Sequence, residues 1–246
     1  MALRAEVADT KPKVVLLFTG AGTTRQKNRP LLYKAFMALP ATGERLHAGK
    51  TARLYKDLGE TVGASGIIVP DSLGVGTPEL TYANTQPAID HFLDKHPDED
   101  VEFIAHSLGG VIAAMYSHRH PERNIGVKAA ASPWGKVKGI PLTGYLLGKI
   151  RQEVDGTRRE MGDGAPQLTL IGSDGDRFID NSSTLPDIAG AQRIVFTRDA
   201  QQAIAQGLTP IEVSDPPGHL RILDHPAALG LYENSVPMPS LSVVQG

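Results

Sequence analysis

Short apolar runs alternate along this chain with longer stretches whose apolar residues recur every three or four positions. Residues 14–18 (Val-Val-Leu-Leu-Phe) are uninterruptedly apolar, as a strand buried on both faces must be. Residues 66–70, 101–106, 126–131 and 167–171 read as further strands, and residues 193–196 and 210–213 as two short later ones, without saying which ends the sheet. Helical material is expected over 31–39, 46–58 and 82–95, where Ile89, Phe92 and Leu93 share a face, and again after residue 107 up to Pro121. Strands alternating with helices predict an α/β protein, a mostly parallel sheet covered on both faces. The stretch after Ser235, rich in Pro and Ser, is expected to be a loosely ordered surface segment.

Most of the strand runs end in a polar, glycine-rich segment: Thr19-Gly-Ala-Gly-Thr-Thr24, Ser72-Leu-Gly-Val-Gly-Thr77, Ser107-Leu-Gly-Gly110, Ser132-Pro-Trp-Gly135 and Gly172-Ser-Asp-Gly-Asp-Arg177. In a parallel sheet, ligands bind outside the carboxyl ends of the strands, where these segments lie. Ser107 stands out among them. An apolar strand stops at it, Leu108, Gly109 and Gly110 follow, and a small-residue helix begins, which places the serine on a sharp strand-to-helix turn. The N–H of Leu108 would then lie beside it, able to stabilise an oxyanion. The plainer alternative is a serine that caps the helix, but two glycines in a first helical turn imply a close approach by something else. Ser72, in Asp-Ser-Leu-Gly, lacks a small residue two places before it and a helix directly after it, and is set aside.

Composition narrows the chemistry. The chain has 246 residues, 41% hydrophobic, with 25 Lys+Arg against 27 Asp+Glu, suiting one sizeable globular domain with no nucleic-acid signature. It contains no cysteine, so disulfides, thiolate metal sites and cysteine nucleophiles are excluded. No apolar run approaches the roughly 20 residues that span a bilayer, and the first residues lack the apolar core of a secretory signal; a cytoplasmic location is the default expectation, with leaderless export left open.

A serine nucleophile needs a base and the base an orienting carboxylate. Of eight histidines, His106 adjoins Ser107 but projects to the other side of the strand. His91, His96, His118 and His120 lie on or at the ends of polar helices and are expected to face solvent, and His47 lies in a charged stretch well before the elbow. His219, in Asp215-Pro-Pro-Gly-His-Leu220, follows a short strand in a loop that can carry it over a neighbouring strand's end. His225 is the runner-up, better placed to precede the last helix. Asp174 and Asp176 are the candidate carboxylates; either can serve a tight turn, and Asp176 precedes an apolar pair that would anchor its loop. The order Ser107, Asp, His219 is distinct from chymotrypsin-like and subtilisin-like orders.

From residue 14 to about residue 232 the chain resembles the α/β-hydrolase superfamily, lipase/esterase type, through Phe-Thr-Gly-Ala-Gly, Ala-His-Ser-Leu-Gly-Gly, Asp-Arg-Phe-Ile and Pro-Gly-His-Leu. The resemblance implies a Ser107–His219–Asp176 triad, Asp176 being selected because the family's acid commonly precedes an arginine and two apolar residues. It also implies the N–H of Ala21 as a second oxyanion donor beside Leu108. It further implies acyl-ester hydrolysis through an acyl-enzyme, with no cofactor and no metal. Two positions depart from the pattern: Thr19 stands where the oxyanion loop usually has His, and Ala105 where the elbow usually has Gly. Gly20-Ala-Gly-Thr, Arg53-Leu-Tyr55 and Gly74-Val-Gly-Thr77 are also similar, in their order, to a bacterial family of phospholipase-like hydrolases that includes secreted antibacterial effectors.

Residues 136–165 form an insertion in which Leu142, Leu146, Leu147, Ile150 and Val154 recur at helical spacing beside Lys149, Arg151, Arg158 and Arg159. It reads either as a lid favouring an acyl chain, with cations suited to an anionic head group or membrane surface, or as the crossover helix with its apolar face on the sheet. Expected substrates are small acyl esters, lipids included; phospholipids and acyl thioesters are the alternatives, and a catalytically inactive binding protein is the rival of another class. A nucleotide site at residues 19–24 lacks the third glycine of G-x-G-x-x-G, since Arg25 stands there.

Overall fold

The structure, a computed structural model, describes residues 13–20, 48–70, 77–138, 143–232 and 242–245. The expected helix over 31–39, His47, Ala21 and the glycine-rich segment 72–76 lie outside them. Among the described residues eight strands form one sheet: β1 (Lys13–Phe18), β2 (Ala64–Val69), β3 (Asp100–His106), β4 (Gly126–Ala130), β5 (Leu168–Ser173), β6 (Gln192–Thr197), β7 (Thr209–Glu212) and β8 (Ser242–Gln245). Their order is β7-β6-β5-β4-β3-β1-β2-β8, and every pair is parallel. Seven of them match the apolar runs of the sequence; both short later runs are strands, and β7 is the edge. The tail departs from expectation, because residues 242–245 pair with residues 66–69 and close the opposite edge. Val243 and Val244 within the Pro/Ser-rich stretch are the β-branched pair that favours a strand.

Alternation along the central strands sends side chains to two cores. Leu16, Phe18, Phe103, Val127 and Leu170 face one side, under α2 (Pro78–Asp94), α3 (Leu108–Arg119) and α4 (Thr143–Met161). Val15, Leu17, Ile104 and Ile171 face the other, under α1 (Ala48–Thr61) and α7 (Pro226–Tyr232). The short α5 (Asn181–Thr184) and α6 (Ala200–Ala205) complete the α/β arrangement, a parallel sheet covered by helices. Helix α2 starts at Pro78, before the apolar periodicity becomes visible, because Thr77 Oγ1 accepts the Leu80 N–H (3.3 Å) and Pro78 fits the first turn. Helix α4 is the crossover between β4 and β5; its Leu147, Ile150 and Val154 are buried in the first core. Among the described residues no helix is long and apolar enough to cross a membrane.

Helix α3 is buried from Gly109 to His118, which overturns the expectation of a solvent-facing His118. A helix covered on all sides has no wet face to offer. His118 Nδ1–H donates to the Ala114 carbonyl (2.7 Å), so its Nε2 accepts from Arg158 Nη1 (3.2 Å). Arg158, itself buried, also donates to the carbonyls of Ala189 and Pro166 (2.5 Å each). Burial, aided by the Arg158 charge, holds the His118 pKa at about 4. The folded state therefore prefers the neutral ring, while the unfolded chain binds a proton near pH 6.5. Stability from this site is complete above pH 6.5 and is lost as pH falls through 4, amounting to about 3 kcal/mol at most. Denaturant unfolding measured between pH 7 and pH 4 is expected to show a steeper acid decline for the parent than for His118→Gln. Parallel declines would contradict it.

Candidate active site

The strand order reverses between β1 and β3: the chain runs from β1 to β2 on one side, then returns to place β3 on the other. Such a switch point leaves a crevice outside the carboxyl ends of the two strands. Thr19 and Gly20 leave β1 there, and Ser107 leaves β3.

Ser107 has φ 52° and ψ −131°, a backbone conformation that costs a non-glycine residue on the order of 1–3 kcal/mol. It is held by its N–H donating to the Ala130 carbonyl (2.9 Å) and by its carbonyl accepting the Gly110 N–H (3.0 Å). Its side chain makes no capping hydrogen bond to α3, so the plain capping role does not apply. The two glycines permit this tight junction. A Cβ at Gly109 would collide with the Thr19 carbonyl, and one at Gly110 with the Ser132 side chain. Leu108 opens the helix, so its N–H has no carbonyl within the helix to bind.

His219 and Asp176 meet through a hydrogen bond from Nδ1 to Oδ2 of 2.8 Å, and both side chains are buried. Asp176 Oδ1 accepts the N–H groups of Phe178 (2.8 Å) and Ile179 (3.1 Å), which fixes the carboxylate at the turn after β5. The apolar Phe178-Ile179 pair does anchor this loop: Ile179 is buried in the core and Phe178 packs on the His219 ring, centroids 5.2 Å apart. Asp174 is exposed and accepts from Asn181 Nδ2 (2.6 Å) instead. The loop carrying His219 is stitched to the end of β5 by Ser173 Oγ, which donates to the Pro217 carbonyl (2.6 Å). His225 precedes α7, where its Nδ1 accepts the Ala227 N–H (3.3 Å) and its ring meets Phe196 edge-on.

His106 projects away from α3, as strand alternation requires, yet it does not leave the site. Its ring lies 4.7 Å from that of His219, centroid to centroid, and its Nε2 is 3.0 Å from the His219 carbonyl oxygen. Its Nδ1 meets Tyr55 Oη at 2.5 Å, and Tyr55 Oη accepts the Gly20 N–H at 2.8 Å. Burial holds His106 well below the ordinary imidazole range, with the nearby His219 acting in the same direction, and burial raises Tyr55 above the ordinary phenol value. Sequence reasoning missed this pair. Arg53-Leu-Tyr55 stands out in the sequence only as part of a family resemblance, and nothing local links residue 55 to residue 106. The engaged Gly20 amide also removes one N–H from any phosphate cradle at residues 19–24. No group of three or more His, Cys, Asp or Glu among the described residues could hold a metal ion.

No protein-family model and no curated protein sequence matches the chain. Among solved structures, one belonging to the pair LipS and LipT, two metagenome-derived lipolytic enzymes, is similar at 12% identity and TM-score 0.44, over 90% of this chain and 92% of that one. The hypothetical protein PA1622 from Pseudomonas aeruginosa PAO1 is similar at 10% identity and TM-score 0.37, over 92% of this chain and 90% of that one.

Proposed function

We propose that the protein is a serine hydrolase of acyl esters. The observation that carries this reading is the buried His219–Asp176 pair, 2.8 Å apart, in a loop tied to the residue next to the strained, uncapped Ser107. In the proposed reaction Ser107 Oγ attacks the ester carbonyl carbon while His219 Nε2 takes its proton. Asp176 keeps the other proton on Nδ1 and stabilises the imidazolium that forms. The Leu108 N–H, with that of Ala21, stabilises the oxyanion. His219 next gives its proton to the departing alkoxide, leaving an acyl-Ser107. It then activates water, which releases the acid and returns Ser107 to the hydroxyl.

Phe178, packed on the His219 ring, and Leu108, next to Ser107, are half-buried apolar side chains that suit an apolar acyl group. Phospholipids and acyl thioesters undergo the same attack and belong in the same screen. The test is a panel of p-nitrophenyl esters of increasing chain length, with phospholipids and acyl thioesters, run beside labelling by a fluorophosphonate. Turnover of at least one class and a phosphonate adduct mapped to Ser107 are expected. A protein that neither turns over nor labels is a binding protein, and the proposal fails.

A further inference from the structure

The Tyr55–His106 pair has a definite direction of hydrogen bonding. A carbonyl oxygen only accepts, so the bond to His219 requires the proton on His106 Nε2. Nδ1 of the neutral ring is then an acceptor and takes the Tyr55 O–H, while Tyr55 Oη accepts from Gly20 N–H. The result is one unbroken run: Gly20 N–H to Tyr55, Tyr55 to His106, His106 to the backbone of His219. Both side chains are buried, with 2% exposure for Tyr55 and 1% for His106. Burying such groups is costly unless every one is bonded, and an apolar pair would fill the space without that requirement.

The ends of the run suggest its purpose. One end is the backbone of the residue before Ala21, the other the backbone of His219 itself. Gly20 is also pressed against the nucleophile, since a Cβ there would lie 2.9 Å from Ser107 Cβ, 3.0 Å from Tyr55 Oη and 3.2 Å from His106 Nδ1. Helix α1 contributes Tyr55 from the face of the sheet opposite α3.

We propose that Tyr55 and His106 are a pair of positioning residues that hold the backbone at Gly20 and His219 in register with Ser107. This rests on the hydrolase reading above. Neither residue touches the substrate; their effect is on the geometry of the groups that do, where an error of about 1 Å can cost about a hundredfold in rate.

The experiment compares the parent with Tyr55→Phe, His106→Asn and the double variant on p-nitrophenyl butyrate, at a temperature well below each melting transition. Fluorophosphonate labelling of the parent is scored first, and the histidine tautomers of the parent are read by ¹⁵N NMR. The proposal expects kcat to fall about tenfold or more in each single variant. KM should stay within about twofold, since substrate contacts are untouched. The double variant should lose no more than the worse single, because either change breaks the same run. His106 should carry its proton on Nε2. Parental kcat in a folded single variant, a loss confined to KM, losses that multiply in the double, or a proton on Nδ1 of His106 would each overturn it. The tautomer reading decides the matter even where a variant fails to fold. A parent that does not label overturns the hydrolase reading and this one with it, whereas a parent that labels with variants unaffected overturns this one alone.

Discussion

Ser107→Ala is expected to abolish ester turnover and fluorophosphonate labelling together, with kcat falling on the order of 10⁴-fold or more. In the proposed reaction the hydroxyl is the attacking group, and Leu108, Gly109 and Gly110, which follow it in the β3–α3 turn, carry no side-chain oxygen. The same substitution should leave stability nearly unchanged, because the Ser107 side chain caps nothing, while its backbone bonds to Ala130 and Gly110 persist in alanine. Ser107→Gly separates strain from chemistry. Glycine accepts φ 52° without penalty, so this variant should be as inactive as the alanine variant yet more stable than it by about 1 kcal/mol. Turnover of a chromogenic ester and thermal melting of the three proteins check both statements. An active Ser107→Ala variant would refute the nucleophile assignment; a glycine variant that melts below the alanine one would refute the strain.

Asp176→Asn should lower kcat by on the order of 10³- to 10⁴-fold with little change in KM. An amide at this position can point its NH₂ at His219, and Nδ1 must then accept, which moves the ring proton to Nε2. A nitrogen that already carries a proton cannot take one from Ser107. The fold is expected to survive, since the Asn oxygen can still accept from the N–H groups of Phe178 and Ile179, which Asp176 Oδ1 binds at 2.8 and 3.1 Å. Asp174→Asn is the internal control, for Asp174 is exposed and bonded to Asn181, and its loss should change kcat by less than about twofold. Steady-state kinetics on the two variants decide the matter. Equal losses from both would mean that the whole turn after β5 has moved and that the assignment of Asp176 is wrong.

The elements on which the site rests were legible for a local reason. A continuous apolar run as short as residues 14–18, with two valines and a glycine-rich segment after it, reads as a strand buried on both faces. The pair Gly109-Gly110 after Ser107 announced a close approach, which in the folded chain is the Thr19 carbonyl on one side and Ser132 on the other. The misreadings have the opposite origin. His118 looked solvent-facing because its neighbours in sequence are polar, but its environment is set by α2 and α4 on either side of α3. Residues 242–245 looked like tail because their partner, residues 66–69, lies far back in the sequence. Asp174 and Asp176 could not be separated by turn chemistry alone. The resemblance selects Asp176, and in the folded chain Asp176 is the carboxylate that two backbone N–H groups and one imidazole surround.

The linear chain by itself determined the period of each segment, the turn at Ser107, and the order in which a hydroxyl, carboxylates and an imidazole appear, because these depend on neighbours a few residues apart. Tertiary structure alone decided that Asp176 reaches His219 across 43 positions, and that Tyr55 joins His106 across 51. The first contact arises from parallel strands whose carboxyl ends deliver distant loops to one place, the second from a helix packed on the face of the sheet toward which His106 projects. Hydrogen bonds there are chosen by distance in space and by the cost of leaving a buried polar group unpaired, neither of which is written in any short window of residues.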